Sequence, residues 1–197
     1  MGEALRKALA VSSLALALVV AGCGSNPSDS TGGGDATSGQ EMTESSATSK
    51  PSGPPRTGPA KVTDVADKCS IVNQPQWQSE GADQAPRELE LNDRLGCKYQ
   101  QGQAGSAGWS VFVAVNGESS YDEEVSKLTQ STAAVDLGGY PAVKYELATN
   151  CILYANISDQ GLLVANAGRN SSSATDVNLC ERAEKFAQLA IQNLPDA

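Results

Sequence analysis

Histidine is the residue whose absence excludes most, because the chain of 197 residues contains none. A Ser-His-Asp triad, a Cys-His dyad and any histidine-ligated metal site are therefore excluded. Basic residues are also scarce, with 14 Lys and Arg against 23 Asp and Glu, a net charge of -9. That sign disfavours nucleic acid and anionic lipid surfaces as partners, because both repel an acidic protein.

A hydrophobic run long enough to cross a bilayer is also lacking. The longest apolar stretch covers residues 8–20, follows the basic pair Arg6 and Lys7, and contains only Ser12 and Ser13 as polar residues. As a helix it would span roughly 20 Å, well short of the ~30 Å hydrocarbon core. Residues 1–22 therefore predict an export signal peptide.

The apolar stretch ends in Val20-Ala21-Gly22-Cys23, which resembles the lipobox of bacterial lipoproteins, small residues directly before a cysteine. The resemblance implies that Cys23 receives a diacylglyceryl group, with acyl chains such as palmitate, and begins the mature chain. The alternative is an ordinary small-residue cleavage site beside an unrelated cysteine. We expect a lipid-anchored protein at the extracytoplasmic face of the cell membrane.

Residues 23–60 are predicted to form a disordered tether. Of the 37 positions after Cys23, 25 are Gly, Ser, Thr or Pro, and Met42 is the only large apolar side chain. Such a segment cannot bury enough surface to offset the entropy of ordering it. As a flexible coil it would have a reach of roughly 30–37 Å.

Residues 61–197 are predicted to form one folded domain, because all nine aromatic residues of the chain follow residue 60. Alternation of apolar and polar residues, rich in β-branched side chains, predicts strands in this part of the chain. The predicted strands cover residues 88–91, 97–100, 109–115, 142–147, 151–155 and 161–165. The last two are expected to form a hairpin, with its turn made from Asn156 and residues 158–161.

Helical spacing of apolar residues is strongest in residues 179–193, where Asn178 is the expected N-cap and Pro195 the stop. Ser120 followed by acids predicts a shorter helix, and a third helical element is expected over residues 65–71. The predicted fold is therefore α+β, an antiparallel sheet packed by helices that include a C-terminal helix.

Five cysteines are present, and four remain in the domain once Cys23 is assigned to the lipid. An even number in an exported domain predicts disulfides, and the economical pairing joins sequence neighbours, Cys69 with Cys97 and Cys151 with Cys180. The rival pairings, Cys69–Cys180 with Cys97–Cys151 or Cys69–Cys151 with Cys97–Cys180, would intertwine the two halves of the domain. Because the nearest cysteines are 28 residues apart and no histidine exists, a zinc site is not expected.

Catalytic residues are not assigned. Glu88 and Glu90 would share a strand face, and residues 122–124 place three acids at a helix start, but both patterns are common in structural roles. Residues 105–108 resemble a nucleophile elbow only superficially and have no histidine to serve as a base; they predict a hairpin turn. We therefore expect no enzyme and no cofactor, with an envelope enzyme that uses only carboxylates as the alternative.

Several short motifs in a fixed order resemble the actinobacterial lipoprotein family called DUF3558. They are Asp67-Lys68-Cys69, Leu95-Gly96-Cys97-Lys98-Tyr99, Asp136-Leu137-Gly138-Gly139-Tyr140-Pro141-Ala142-Val143, Cys151, and Cys180 before Leu194-Pro195. The resemblance covers residues 61–197 together with the lipobox and the tether. The chain has Lys68 where the family more often has proline.

The expected function is noncatalytic binding, in one of two forms that the sequence does not separate. The domain would either capture a small ligand of the cell envelope or dock on another envelope protein. A deep apolar pocket would favour the first form, and an exposed apolar patch would favour the second. A buried carboxyl pair with a raised pKa would instead favour the carboxylate enzyme.

Overall fold

The computed structural model describes residues 54–171 and 176–197. Residues 1–53, which include the predicted signal peptide, Cys23 and most of the predicted tether, lie outside the described residues. The elements are α1 Gln74–Ser79, β1 Arg87–Leu91, β2 Arg94–Gln101, β3 Trp109–Asn116, α2 Tyr121–Ser126, β4 Ala133–Asp136, β5 Pro141–Glu146, β6 Asn150–Ser158, β7 Gly161–Arg169 and α3 Leu179–Asn193. Within the described residues, no helix has the length and apolar character needed to cross a membrane.

The seven strands form one sheet in the order β1-β2-β3-β7-β6-β5-β4, and every neighbouring pair is antiparallel. The α+β prediction is confirmed, and all six predicted strands form. The hairpin turn between β6 and β7 is tighter than predicted, because Asn156 stays in β6 and Gly161 begins β7. Since β3 pairs with β7 rather than with β4, the centre of the sheet joins strands that are about 50 residues apart in sequence.

One face of the sheet packs against α3 and holds the main core. Trp109, Val111 and Val113 of β3 point into this core, as their alternation predicts. Phe186 of α3 is fully buried, with its ring 5.2 Å from that of Tyr99 and 5.6 Å from that of Trp109. Helix α3 can lie this close to the sheet because its buried side also carries Ala183, Ala187 and Ala190.

The C-terminal helix begins and ends as predicted, at Leu179 and Asn193. The backbone N–H of Glu181 donates to Asn178 Oδ1 at 3.1 Å, which confirms the expected N-cap. Lys185 Nζ lies 3.9 Å from Glu80 Oε1, in the segment that follows α1.

Both predicted disulfides, Cys69–Cys97 and Cys151–Cys180, are present. The first joins the segment before α1 to β2, and the second joins β6 to the first turn of α3. The first therefore fastens the turn segment before α1 to the sheet, and the second fastens α3 to it.

The prediction of a helix over residues 65–71 is wrong, because this stretch forms turns around the first disulfide. The N-terminal helix is α1 instead. Asn73 caps it in a reciprocal capping box with Gln76, while Pro75 occupies its first turn. The half-buried Trp77 is the one large apolar residue of α1, so the apolar periodicity of this segment is too weak to predict a helix.

The segment before residue 61 contacts the domain at one end of the sheet. The backbone N–H groups of Thr57 and Gly58 both donate to Gly139 O, at 2.9 and 3.0 Å, and the Tyr140 hydroxyl donates to Pro59 O at 3.0 Å. Arg56 Nη2 lies 2.7 Å from Asp159 Oδ1. The last residues of the predicted tether therefore pack on the sheet, beside the β4–β5 and β6–β7 turns.

Candidate functional site

The face of the sheet opposite α3, here called the open face, is covered only in part. Helix α2 lies over β6 and β7, where Tyr121 packs with Tyr154, Leu162 and Val164. An ion pair between Arg94 and Glu124 joins β2 to α2. None of the described helices covers the remainder of this face, over β1, β2, β3 and the adjoining ends of β6 and β7.

Strand register aligns one side chain from each of six strands in a row across the open face. The row consists of Tyr145, Ile152, Asn166, Phe112, Lys98 and Arg87. At a strand spacing of about 4.8 Å the row is about 24 Å long. Its side chains are, in order, an aromatic ring, an aliphatic group, an amide, a second aromatic ring and two cations.

A shallow groove of about 200 Å³ lies in this row and around it. Its lining residues are Leu89, Leu91, Lys98, Ser110, Phe112, Asn150, Asn166 and Gly168. Gly96 and Gly168 have no side chains, which leaves space at the centre of the open face. A Cβ on Gly96 would lie 2.6 Å from the Phe112 ring, and one on Gly168 would lie 3.1 Å from Asn150 Nδ2. The two asparagines are tied together, since Asn150 Nδ2 donates to Asn166 Oδ1 at 3.1 Å.

The groove has a positive charge and no carboxylate among its lining residues. Lys98 is half-buried and lies directly opposite Arg87 in the β1–β2 register. Burial, and to a lesser degree the charge of Arg87, lowers the pKa of Lys98 from its ordinary value. Within the described ranges, Lys98 and Arg87 are the two basic side chains that form neither an ion pair nor a hydrogen bond.

The other clefts contain cations that already have partners. A cleft of about 600 Å³ lies at the end of β1–β3 and includes Lys68 and Arg94. Lys68 Nζ donates to Val65 O, and Arg94 forms the ion pair with Glu124. Partial burial alone would raise the pKa of Glu124, but the hydrogen bond from Lys127 and the charge of Arg94 outweigh it and lower that pKa. Both cations of this cleft are therefore already engaged.

A second cleft lies beside α1 and α3, where Arg182 contacts Glu80 at 3.3 Å and stacks 5.0 Å from the centre of the Trp109 ring. In a third, Lys61 Nζ lies 2.7 Å from Asp196 Oδ1. Both cations are thus engaged in the fold, which leaves the groove of the open face as the candidate site.

The residues considered as candidates in the sequence lie elsewhere. Glu88 and Glu90 are exposed on edge strand β1, on the side opposite the groove, and Glu88 Oε1 accepts the backbone N–H of Lys68 at 3.0 Å. Residues 105–108 form part of the β2–β3 turn. The four domain cysteines are all in disulfides, and Cys23 lies outside the described residues.

No group of three or more Cys, Asp or Glu side chains in residues 54–171 and 176–197 is arranged to hold a metal ion. The chemistry that this part of the chain offers at the groove is therefore binding through an amine, two amides and apolar side chains.

The sequence indicates one border of the groove but not the groove itself. In Arg87-Glu88-Leu89-Glu90-Leu91 the alternation places the arginine and both leucines on one face, and that face borders the groove. The alternation within β1 therefore indicates this border of the groove. The partners contributed by β3, β6 and β7 depend on strand order, which local alternation does not specify.

The family model described as "Protein of unknown function (DUF3558)" matches residues 18–193. No curated protein and no solved structure matches the chain. Because the family model covers most of the sequence, the chain belongs to the DUF3558 family.

Proposed function

We propose that this chain is an exported bacterial lipoprotein, of the actinobacterial kind its motifs suggest, held at the extracytoplasmic face of the membrane by a lipid on Cys23. Its domain is a noncatalytic interaction module that docks another envelope protein through the open face. The lipobox pattern and the tether composition support the anchor, and the geometry of the sheet supports the docking role.

The observation that carries the docking role is the unequal covering of the two sheet faces. Helix α3 buries one face, whereas Phe112 and Asn166 lie in the row across the other face, on a part of it that no described helix covers. The groove in this row, at about 200 Å³, is below the ~300–1,000 Å³ typical of pockets that enclose a ligand. A shallow groove of this size suits a side chain of a docking protein better than a whole ligand.

The place where the tether meets the domain also supports docking. Arg56 and Thr57 contact the sheet beside Asp159 and Gly139, at the end where β7 begins. Gly168, in the groove, is seven residues further along β7, which corresponds to roughly 23 Å. A partner could reach the groove without displacing the segment that leads to the anchor.

Site-specific photo-crosslinking in intact cells tests the docking role. A photoreactive amino acid is placed at Ile152 on the open face, and the matched control places it at Gln192, exposed on α3. We expect the variant at Ile152 to form an adduct with another protein, which the control does not form. Equal adducts from both positions, or an adduct from Ile152 only with a small molecule or lipid, would contradict docking through this face.

A further inference from the structure

We propose that the groove binds an extended segment of the partner protein in which a carboxylate side chain is followed, two and four residues later, by apolar side chains. This inference rests on the proposed docking function and deepens it by naming the chemistry of the partner segment. Lys98 and Arg87 receive the carboxylate, and Leu89, Leu91 and Phe112 receive the apolar groups.

The positive charges of Lys98 and Arg87 favour a carboxylate as the group that binds beside them. Lys98 and Arg87 lie directly opposite each other on neighbouring strands, an arrangement in which like charges repel. Neither has an anionic partner within the described residues, in a chain that carries nine more acids than bases. A carboxylate bound between them would supply the missing counter-charge and offset their repulsion.

The spacing of side chains along β1, which borders the groove, favours an extended conformation of the bound segment. Arg87, Leu89 and Leu91 are alternate residues of one strand, so their side chains follow one another at intervals of about 6.6–6.8 Å. Side chains two residues apart in an extended segment have the same interval. A segment lying along β1 can therefore place a carboxylate near Arg87 and apolar groups near Leu89 and Leu91.

The polar groups at the other side of the groove offer further hydrogen bonds to the partner protein. Asn150 and Asn166 are half-buried. Asn150 Oδ1 also accepts from the Thr149 hydroxyl at 2.7 Å, and the amide of each keeps hydrogen-bonding capacity beyond these bonds. They lie three and four strands from β1, roughly 14–19 Å away, so they would bind polar groups of the partner beside the segment and not the backbone of the segment itself. Ser110, also in the lining, adds a hydroxyl.

Fluorescence anisotropy with a matched peptide pair tests the inference. The full-length lipidated protein is held in nanodiscs of neutral phosphatidylcholine, and the probes are end-blocked Glu-Ser-Leu-Ser-Leu and Gln-Ser-Leu-Ser-Leu, each with an uncharged fluorophore. We expect the Glu peptide to bind at least tenfold more tightly than the Gln peptide. Lys98→Gln should reduce this ratio to less than threefold.

Lys185→Gln provides the matched control, because it removes the same charge from α3 on the opposite side of the sheet. It should keep the tenfold preference. Equal affinity of both peptides for the wild-type protein, or an equal loss in Lys185→Gln, would overturn the inference. Displacement of the Glu peptide by phosphatidylglycerol added to the nanodiscs would also overturn it, since the groove would then bind a lipid headgroup.

The two proposals fail in distinguishable ways. If both peptides bind equally while crosslinking from Ile152 still gives a partner protein, the docking function stands and the carboxylate specificity falls. If crosslinking gives no face-specific partner while the Glu peptide keeps its preference, the groove binds carboxylates but the docking function falls.

Discussion

The two phenylalanines of this chain lie on opposite faces of the sheet, and their replacement by alanine should differ in cost. Phe186 is enclosed on all sides by the main core and touches the rings of Tyr99 and Trp109. Phe112 is also buried, but its ring lies on the backbone of Gly96 at the edge of the groove.

Phe186→Ala leaves a cavity that the surrounding sheet and helix cannot fill, so both the transfer free energy and the cavity contribute. Such replacements cost about 3–5 kcal/mol, and the two ring contacts place this one near the upper end. Phe112→Ala removes a similar ring, but the space opens into the groove, where water can enter. Its cost is then close to the transfer free energy alone, about 1.5–3 kcal/mol.

Urea unfolding followed by far-ultraviolet circular dichroism, with both disulfides intact, measures the two free energies. Phe186→Leu is the control, because it keeps most of the buried volume and should cost less than about 1.5 kcal/mol. Equal destabilisation by Phe186→Ala and Phe112→Ala, or a larger loss in Phe112→Ala, would refute the assignment of the closed core to the α3 side.

Three further results are expected. Replacing Cys151 and Cys180 together by alanine should lower the free energy of unfolding by about 3.5 kcal/mol, because a loop with a sequence separation of 29 residues is released; an unchanged urea midpoint would contradict this. Burial, with a smaller contribution from Tyr145, raises the pKa of Tyr154 to about 12; its contribution to stability should therefore be full below pH 10 and fall by on the order of 2 kcal/mol between pH 10 and 12. Urea unfolding against pH should show that Tyr154→Phe removes this part of the alkaline loss and leaves the part that comes from Tyr99 and Tyr121, whose pKa values burial also raises. Cys23→Ser should move the protein from the membrane fraction to the medium or to an uncleaved precursor, and retention like that of the wild type would contradict the lipid anchor.

Local patterns predicted the elements whose stability depends on one apolar face. Alternation in β3 and helical spacing in α3 both follow from burial against the same core, so those segments were recognisable individually. Strand β4 was missed because it is a four-residue edge strand with largely exposed side chains. Its pairing with β5 depends on backbone hydrogen bonds, which leave little trace in the side-chain pattern.

The composition of the chain places the end of the tether at residue 60, although the residues from Arg56 onward already contact the sheet. Arg56, Thr57 and Pro59 have the polar, proline-rich character of the preceding segment, yet their partners are the backbone of Gly139, Asp159 and the buried ring of Tyr140. Hydrogen bonds to the sheet and its turns hold these residues in place. A composition argument counts only what a segment itself can bury.

The like-charged pair of Arg87 and Lys98 allows stability and binding to be separated by one substitution. Like charges directly opposite in an antiparallel pair are destabilising, whereas opposite charges contribute roughly 0.2–1 kcal/mol, so Arg87→Glu should stabilise the domain slightly. The same change places a carboxylate where the partner's carboxylate would bind, so the tenfold preference for the Glu peptide should disappear. Urea unfolding and peptide anisotropy on the one variant measure both effects. If Arg87→Glu lowered stability and kept the peptide preference, the pair would have a structural role and would not be a binding site.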